Sequence, residues 1–289
     1  MQNKEVIGQW SESAPYWEKY RPVIVEMFRP VAEALIEDAA IARGNSILDL
    51  ATGPGEPALT IAEVVGPEGM VVGTDVAPEM VEAARREADQ RKLQNARFEV
   101  VFSGGQGTDN LPFSDSTFDA AVSRFGVMFF PSPVDSLRDV LRVLKPGGKI
   151  ALAVWYLQEK NPFDYVVTRI VDRFMNQYLE PTVPKPGASD MFRFAKPGDL
   201  VAVLASAGAA AVSERLLHFS IRAGLSAEEF WTLRSEMSEK LRTKLALLSE
   251  PQKAALKREV IEAIRAYSSE NGISIPAEVL IVSGAKHPS

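Results

Sequence analysis

Ser46-Ile47-Leu48-Asp49-Leu50-Ala51-Thr52-Gly53-Pro54-Gly55-Glu56-Pro57-Ala58 is the stretch that decides the fold. Its first six residues form a short apolar run of strand character, interrupted only by Asp49. The glycines that follow permit a sharp turn and let a ligand approach the backbone closely. Pro57 stands near the first turn of a helix that extends to Val65, where its missing N–H costs little. A buried strand, a glycine turn and a helix start in succession expose N–H groups that attract polar or anionic groups. The spacing Gly53-x-Gly55-x-x-Ala58 suits more than one nucleotide cofactor, NAD included.

Outward from this turn, short apolar runs alternate with helical patterns as far as residue 155. Met70 to Gly73 reads as a second strand, and Pro78 opens a helix through Met80, Ala84 and Ala88. Arg97 to Phe102 and Phe118 to Ser123 are the next strands. Leu137, Val140, Leu141 and Leu144 repeat at helical spacing before Lys145-Pro146-Gly147-Gly148 stops the helix and turns the chain into a strand from Ile150 to Trp155. Phe163, Val166, Val167, Ile170, Phe174 and Tyr178 then form one helical face ahead of a Pro-rich stretch, which reads as an insertion. A helix from about Asp199 to Ala207 and a strand from Ala211 to Ile221 resume the pattern. Two helices follow, with capping boxes at Ser226/Glu229 and Ser249/Gln252, then a turn at Asn271-Gly272 and a last strand from Glu278 to Ser283.

This alternation predicts a doubly wound, Rossmann-like α/β fold: a mostly parallel seven-stranded sheet with helices on both faces, an N-terminal helical segment and a helical cap insertion. The expected division is 1–44 for the N-terminal segment, 45–157 for the cofactor-binding core and 158–198 for the insertion. Residues 199–289 complete the sheet and carry a further helical insertion, all within one domain overall.

Composition narrows the chemistry. The 289 residues include no cysteine, which excludes disulfides and thiolate nucleophiles, and only His218 and His287 carry imidazoles, so no metal site is expected. A net charge of -6 without a Lys/Arg cluster argues against nucleic acid as substrate. No apolar run reaches the length of a membrane span, and residues 1–13 carry no secretory pattern, so a cytoplasmic address is expected. Asp75, at the end of the second strand and twenty positions after Gly55, is placed to accept hydrogen bonds from both hydroxyls of a ribose.

The segments ILDLATGPGEPA, VVGTDVAPEM, LPFSDSTFDAAVSRFGVMFF and DVLRVLKPGGKI together resemble the class I methyltransferases dependent on S-adenosylmethionine (SAM). They are most similar to the branch that holds the ubiquinone and menaquinone C-methyltransferases and many small-molecule enzymes. The likeness covers roughly residues 45–157. It implies SAM as cofactor, S-adenosylhomocysteine as product, and a small-molecule acceptor for a chain that is a monomer or a homodimer.

By that resemblance Ala51, Thr52, Gly53 and Gly55 hold the methionyl part, Asp49 orients the loop, and Asp75 and Val76 meet the ribose. Met80 packs near the adenine. Gly107 stands where an adenine-binding Asp is usual, leaving Gln106 or Thr108, or Asp109 if the loop shifts, to make that contact. Ser123, Arg124 and Met128 follow the fourth strand, the first two at the methionyl end. Trp17 and Tyr20, in the aromatic-rich segment ahead of the first strand, are candidates to face the sulfonium, where a cation–π contact contributes about 1 kcal/mol.

Phe125, Phe163, Phe192, Phe194, Phe230 and Trp231 are candidates for an apolar acceptor pocket. His218 is a candidate general base for a hydroxyl acceptor, although its strand position suits a structural role as well. Two other readings stay open at this level. One is an NAD-dependent oxidoreductase, which the glycine turn and Asp75 permit; the other is a SAM- or nucleoside-binding protein without catalysis.

Overall fold

A computed structural model describes residues 2–101, 111–178 and 190–288, with side chains described from residue 7 onward. The chain begins with α1 (Gln2–Lys19) and α2 (Arg21–Asp38), the predicted N-terminal helical segment. Phe28 leaves helical geometry inside α2 at φ -113 and ψ 16. Pro30, which lacks an N–H and crowds the preceding turn, accounts for this kink.

The core then alternates β1 (Ser46–Leu50), α3 (Ala58–Val65), β2 (Met70–Asp75), α4 (Pro78–Arg91) and β3 (Ala96–Val100). It continues through β4 (Phe118–Arg124), a short 3-10 turn at Val127–Phe129, α5 (Pro133–Val143) and β5 (Leu144–Trp155). Strand order is β3-β2-β1-β4-β5-β8-β6. The first five of these pair in parallel, and β8 (Gly272–Ala285) runs antiparallel between β5 and β6 (Ala210–Ala223). This is the mostly parallel seven-stranded sheet expected, with a two-residue β7 (Ser268–Ser269) added beside β8.

Chain order reverses at β1. The strands proceed outward through β2 and β3, then return to β4 on the other flank of β1. Connections leaving β1 and β4 therefore diverge above their carboxyl ends, and a crevice opens between them where ligands of such sheets bind. The register places Asp49 beside Gly73 on one flank and Val122 on the other, at the centre of the sheet.

Helix α2 packs across β4, β5, β6 and β8, α3 and α4 pack against β1 to β3, and α7 (Asp199–Ser206) packs against β6 and β8. The predicted insertion holds α6 (Pro162–Tyr178), which lies against β8. Between β6 and β7 come α8 (Ala227–Met237), α9 (Glu239–Ala246) and α10 (Glu250–Ile264), of which α10 packs against α6 and α8. Two helices were expected here. The extra one arises because Ser238 ends α8 in an extended conformation and its hydroxyl accepts the Leu241 N–H, capping α9. Both expected capping boxes form: Ser226 N donates to Glu229 at 2.7 Å, and Ser249 N donates to Gln252 at 2.8 Å.

Phe230 on α8 is fully buried, edge-on to Phe163 of α6 at 5.6 Å between ring centroids. This contact fastens the inserted helices to the sheet. Truncation there leaves a cavity that the surrounding helices fill only in part, so Phe230→Ala is expected to cost about 3–5 kcal/mol. The check is urea unfolding, which should show a lower midpoint at unchanged slope.

Candidate functional site

The carboxyl end of β1 is organised by a carboxylate with no access to solvent. Asp49 is fully buried, and its Oδ2 accepts from the Thr52 hydroxyl at 2.6 Å and from Ala58 N at 3.2 Å. One acid thereby fixes both ends of the glycine turn, its start at Thr52 and the first residue of α3. Its other oxygen, Oδ1, has no hydrogen-bond partner among the described residues. Burial pushes the Asp49 pKa up to about 7, against the opposing pull of the Thr52 hydroxyl, the nearby Arg124 charge and the Ala58 N–H.

Gly53 turns at φ +56, a conformation that disfavours residues with a Cβ, and no atom lies within 4 Å of where a Cβ would stand. The loop backbone is therefore open towards the crevice. Asp75, at the end of β2, accepts from Gly53 N at 2.9 Å through Oδ2 and from Ala77 N at 3.0 Å through Oδ1. Burial raises its pKa while these N–H groups oppose the shift. The Val76 N–H opposes it too, and the carboxylate still has acceptor capacity for an incoming donor.

Beyond Asp75 lies an apolar slot. Ala14 of α1 joins Ala77 and Met80 in a small buried cluster against which Trp10 and Trp17 pack. Trp10 and Trp17 sit seven residues apart, two turns of α1, so they share a face; Trp10 also meets Phe129 edge-on at 5.2 Å.

At the end of β4, Phe125 takes a left-handed φ of +59 and lies flat on Trp155 at 4.5 Å. A Cβ at Gly126 would come within 2.5 Å of the Ala51 Cβ and 2.8 Å of the Ser123 hydroxyl, so the two strand ends close only around small residues. Phe28 stands edge-on to Phe125 at 5.3 Å. Arg124 Nη2 donates to the Glu56 carbonyl at 3.1 Å, and its guanidinium lies 6.0 Å from the Phe28 ring centroid. Burial lowers the Arg124 pKa, against the attraction of the Glu56 and Asp49 charges.

These features line one cleft with about 1310 Å³ of free space, part of it open at the mouth. Of the residues singled out in the sequence, Trp17, Ala51, Thr52, Gly53, Asp75, Val76, Met80, Arg124 and Phe125 line it. Asp49, Gly55 and Ser123 support it from beneath. Gly55 faces Leu59 of α3, and Ser123 is fully buried with its hydroxyl on the Leu50 carbonyl. Met128 is buried in the core without reaching the cleft. Gln106, Gly107, Thr108 and Asp109 lie outside the described residues.

Other residues singled out in the sequence lie away from this cleft. Tyr20 turns away from the cleft and donates to Glu236 of α8 at 2.8 Å, because it falls just past the end of α1 and off the Trp10–Trp17 face. Phe163 is wedged among Phe28, Trp155 and Phe230, and Phe194 is buried beneath the Arg193 guanidinium; neither reaches the cleft. Phe192 is half-buried against the core, and Trp231 edges a separate shallow hollow with Leu245 and Lys257. Phe163, stacked on Trp155, holds α6 to the sheet. His218 sits on β6 at the edge of the sheet, its side chain two-thirds exposed and 3.5 Å from Glu278, away from the cleft.

Several lining residues lay outside the sequence reading. Arg21 is buried at the start of α2 and donates to the Pro54 carbonyl at 3.1 Å, to the Ala83 carbonyl at 3.0 Å and to Glu87 at 2.6 Å. It ties the N-terminal segment to the glycine turn and to α4 together. Ile24 and Phe28 follow on the same helix, and Phe129, Phe130 and Pro131 close the wall after β4. The seven-residue spacing of the tryptophans was the available signal for Trp10; nothing local distinguishes Arg21 from an exposed arginine.

Residues 41–176 match the model of a family described as a methyltransferase domain. Nocamycin O-methyltransferase of Saccharothrix syringae is 30% identical over 272 residues, covering 92% of this chain and 94% of that protein. Aklanonic acid methyltransferase DauC of Streptomyces sp. strain C5 is 32% identical over 148 residues, or 51% of this chain. That match spans 64% of DauC, short of two thirds of its length. Among solved structures, the YcgJ protein of Bacillus subtilis shares the fold with a TM-score of 0.55 at 21% identity, over 89% of this chain and 98% of that one. Among the described residues no helix is long and apolar enough to cross a membrane.

The buried Asp49 has a consequence for stability. A carboxyl whose folded pKa is raised from 3.8 to about 7 binds its proton more tightly folded than unfolded. Its contribution is fully present below pH ~4 and is lost as pH rises through ~7, by about 4 kcal/mol at most. Asp49→Asn removes this titration. The difference in unfolding free energy between variant and wild type is therefore expected to shift in favour of the variant between about pH 5 and pH 8. Urea titrations at the two pH values measure it, and a difference that does not change with pH would show that Asp49 is ionised throughout.

Proposed function

This chain belongs to the class I SAM-dependent methyltransferases, and we propose that it delivers the methyl group of SAM to a small, flat, largely apolar molecule held against Phe28, Phe125 and Phe129. SAM is its cofactor. When bound, it supplies a methyl group already activated by attachment to a sulfonium, so the protein's work is to bind, orient and exclude water.

The observation that carries the reading is the division of one cleft into three environments. The Asp75 carboxylate, with acceptor capacity left beyond its backbone N–H partners, is suited to a ribose diol. Val76, Met80 and Trp17 form a slot for a flat adenine, and the open backbone at Gly53 leaves room for the methionyl chain. On the far side of Gly126 the aromatic wall offers a surface for the acceptor. Trp10 and Trp17 of α1 line the cleft as well, and aromatic rings there suit a neighbouring cation.

Asp75 supplies the test. Asp75→Ala removes two charge-assisted hydrogen bonds to the ribose, and the dissociation constant for S-adenosylhomocysteine is expected to rise at least about tenfold, with the circular dichroism spectrum preserved. Calorimetric titration reads the affinity. Unchanged affinity would remove Asp75 from the ribose site. A wild-type protein stabilised by NADH and not by S-adenosylhomocysteine would overturn the reading as a whole.

A further inference from the structure

The cleft holds four ionisable side chains among its described lining residues: Arg21, Glu56, Asp75 and Arg124. Three of them have committed partners. Arg21 is paired with Glu87. The Glu56 carboxylate accepts from Thr60 at 2.6 Å and lies 3.1 Å from Arg91. Asp75 holds two backbone N–H groups. Arg124 differs. Its one hydrogen bond among the described residues goes to the Glu56 carbonyl, and neither Glu56 nor Asp49 bonds to its guanidinium. Of its five N–H donors, the others have no acceptor among the described residues, in surroundings that already disfavour the charge. The side chain is half-buried, so these open donors face the cleft and are available to an accepting ligand.

Arg124 reaches from the glycine turn, where Nη2 bonds to the Glu56 carbonyl, to the aromatic wall, where it lies beside Phe28 and next in sequence to Phe125. No Lys, His or Tyr lines the cleft among the described residues, so the wall offers no neutral base to take a proton from an alcohol or an amine. The geometry points to a specificity-determining role for Arg124: it receives the anionic oxygen of a flat aromatic acceptor, a carboxylate or an enolate that arrives already ionised. This rests on the methyltransferase reading given above.

Such an acceptor requires no base. A lone pair on its oxygen forms the O–CH₃ bond as the S–CH₃ bond breaks, the bonding pair stays on sulfur, and the negative charge of the oxygen and the positive charge of the sulfonium cancel. The guanidinium would bind one oxygen of a carboxylate while the other faces the methyl group.

The same chemistry has a second source, the carboxylate of SAM itself, and the experiment separates the two. Binding of naphthoate and of its neutral isostere naphthamide is titrated calorimetrically to the full chain saturated with S-adenosylhomocysteine. Naphthoate is expected to bind at least about tenfold more tightly. Arg124→Met, titrated at saturating S-adenosylhomocysteine, is expected to abolish that preference, and Arg124→Lys to retain part of it. Equal affinity for the two probes in the wild type, or none for either, overturns the proposal without calling on a variant. Loss of S-adenosylhomocysteine affinity in Arg124→Met would assign the guanidinium to the cofactor's carboxylate and overturn it too. Failure of the wild type to bind S-adenosylhomocysteine would count against the methyltransferase reading itself.

Discussion

The site depends on one hydrogen-bonded carboxylate at the middle of the sheet. Asp49 cannot reach water, and its Oδ2 holds the Thr52 hydroxyl and the Ala58 N–H, the two ends of a turn that must leave β1 and enter α3 within a few residues. Without that acceptor, the N–H at the start of α3 would be a buried donor lacking a partner. Because Asp49 also shares its strand with β2 on one side and β4 on the other, holding the turn fixes the crevice between the two flanks. The desolvation that raises its pKa is the cost of placing this acceptor where no water can compete for the bonds.

A second constraint joins the N-terminal helices to that turn. Arg21 reaches the Pro54 carbonyl, the Ala83 carbonyl and Glu87 from the first residue of α2. Breaking a pair this buried would strand a charge, so α2 is held in one orientation relative to the loop and α4. That orientation brings Ile24 and Phe28 to the cleft wall. In the other direction, Tyr20 and Lys19 both meet Glu236 of α8, so the N-terminal segment is braced between the core and the inserted helices.

The parts legible in the sequence were those set by local chemistry. A strand ending in glycines before a proline-opened helix, an acid twenty residues further on and two Ser-x-x-Glu/Gln boxes each dictate a nearby backbone shape, and the structure places each accordingly. Aromatic residues were the opposite case. Phe125, Phe163 and Phe230 are equally apolar on the page, yet one faces the cleft and two are packed between helices, because the choice depends on how α2, α6 and α8 cross. His218 was misleading for a related reason. Alternation along a strand shows that a residue faces one side of the sheet, but not that β6 lies at the edge with that side uncovered. Arg21 was invisible, since its three partners come from segments 33 to 66 residues away.

The division of labour between halves of the cleft explains why the cofactor was readable and the acceptor was not. The half that includes Gly53 and Asp75 works largely through backbone groups and one carboxylate, and backbone shape leaves a trace in glycine spacing. The acceptor half works through the relative positions of Phe28, Phe125 and Phe129, from three elements, and through one guanidinium whose meaning lies in what it fails to contact. An arginine whose guanidinium bonded to the Glu56 or Asp49 carboxylate would be a structural cross-link, neutralised before any ligand arrived. Thr60 and Arg91 engage Glu56, and Thr52 and Ala58 engage one oxygen of Asp49, so neither carboxylate bonds to the guanidinium and the positive charge at the end of β4 faces the cleft. In the proposed role of Arg124, charge selection in this cleft follows from the same hydrogen bonds that build the turn, because they draw the nearby acids away from direct bonds to the guanidinium.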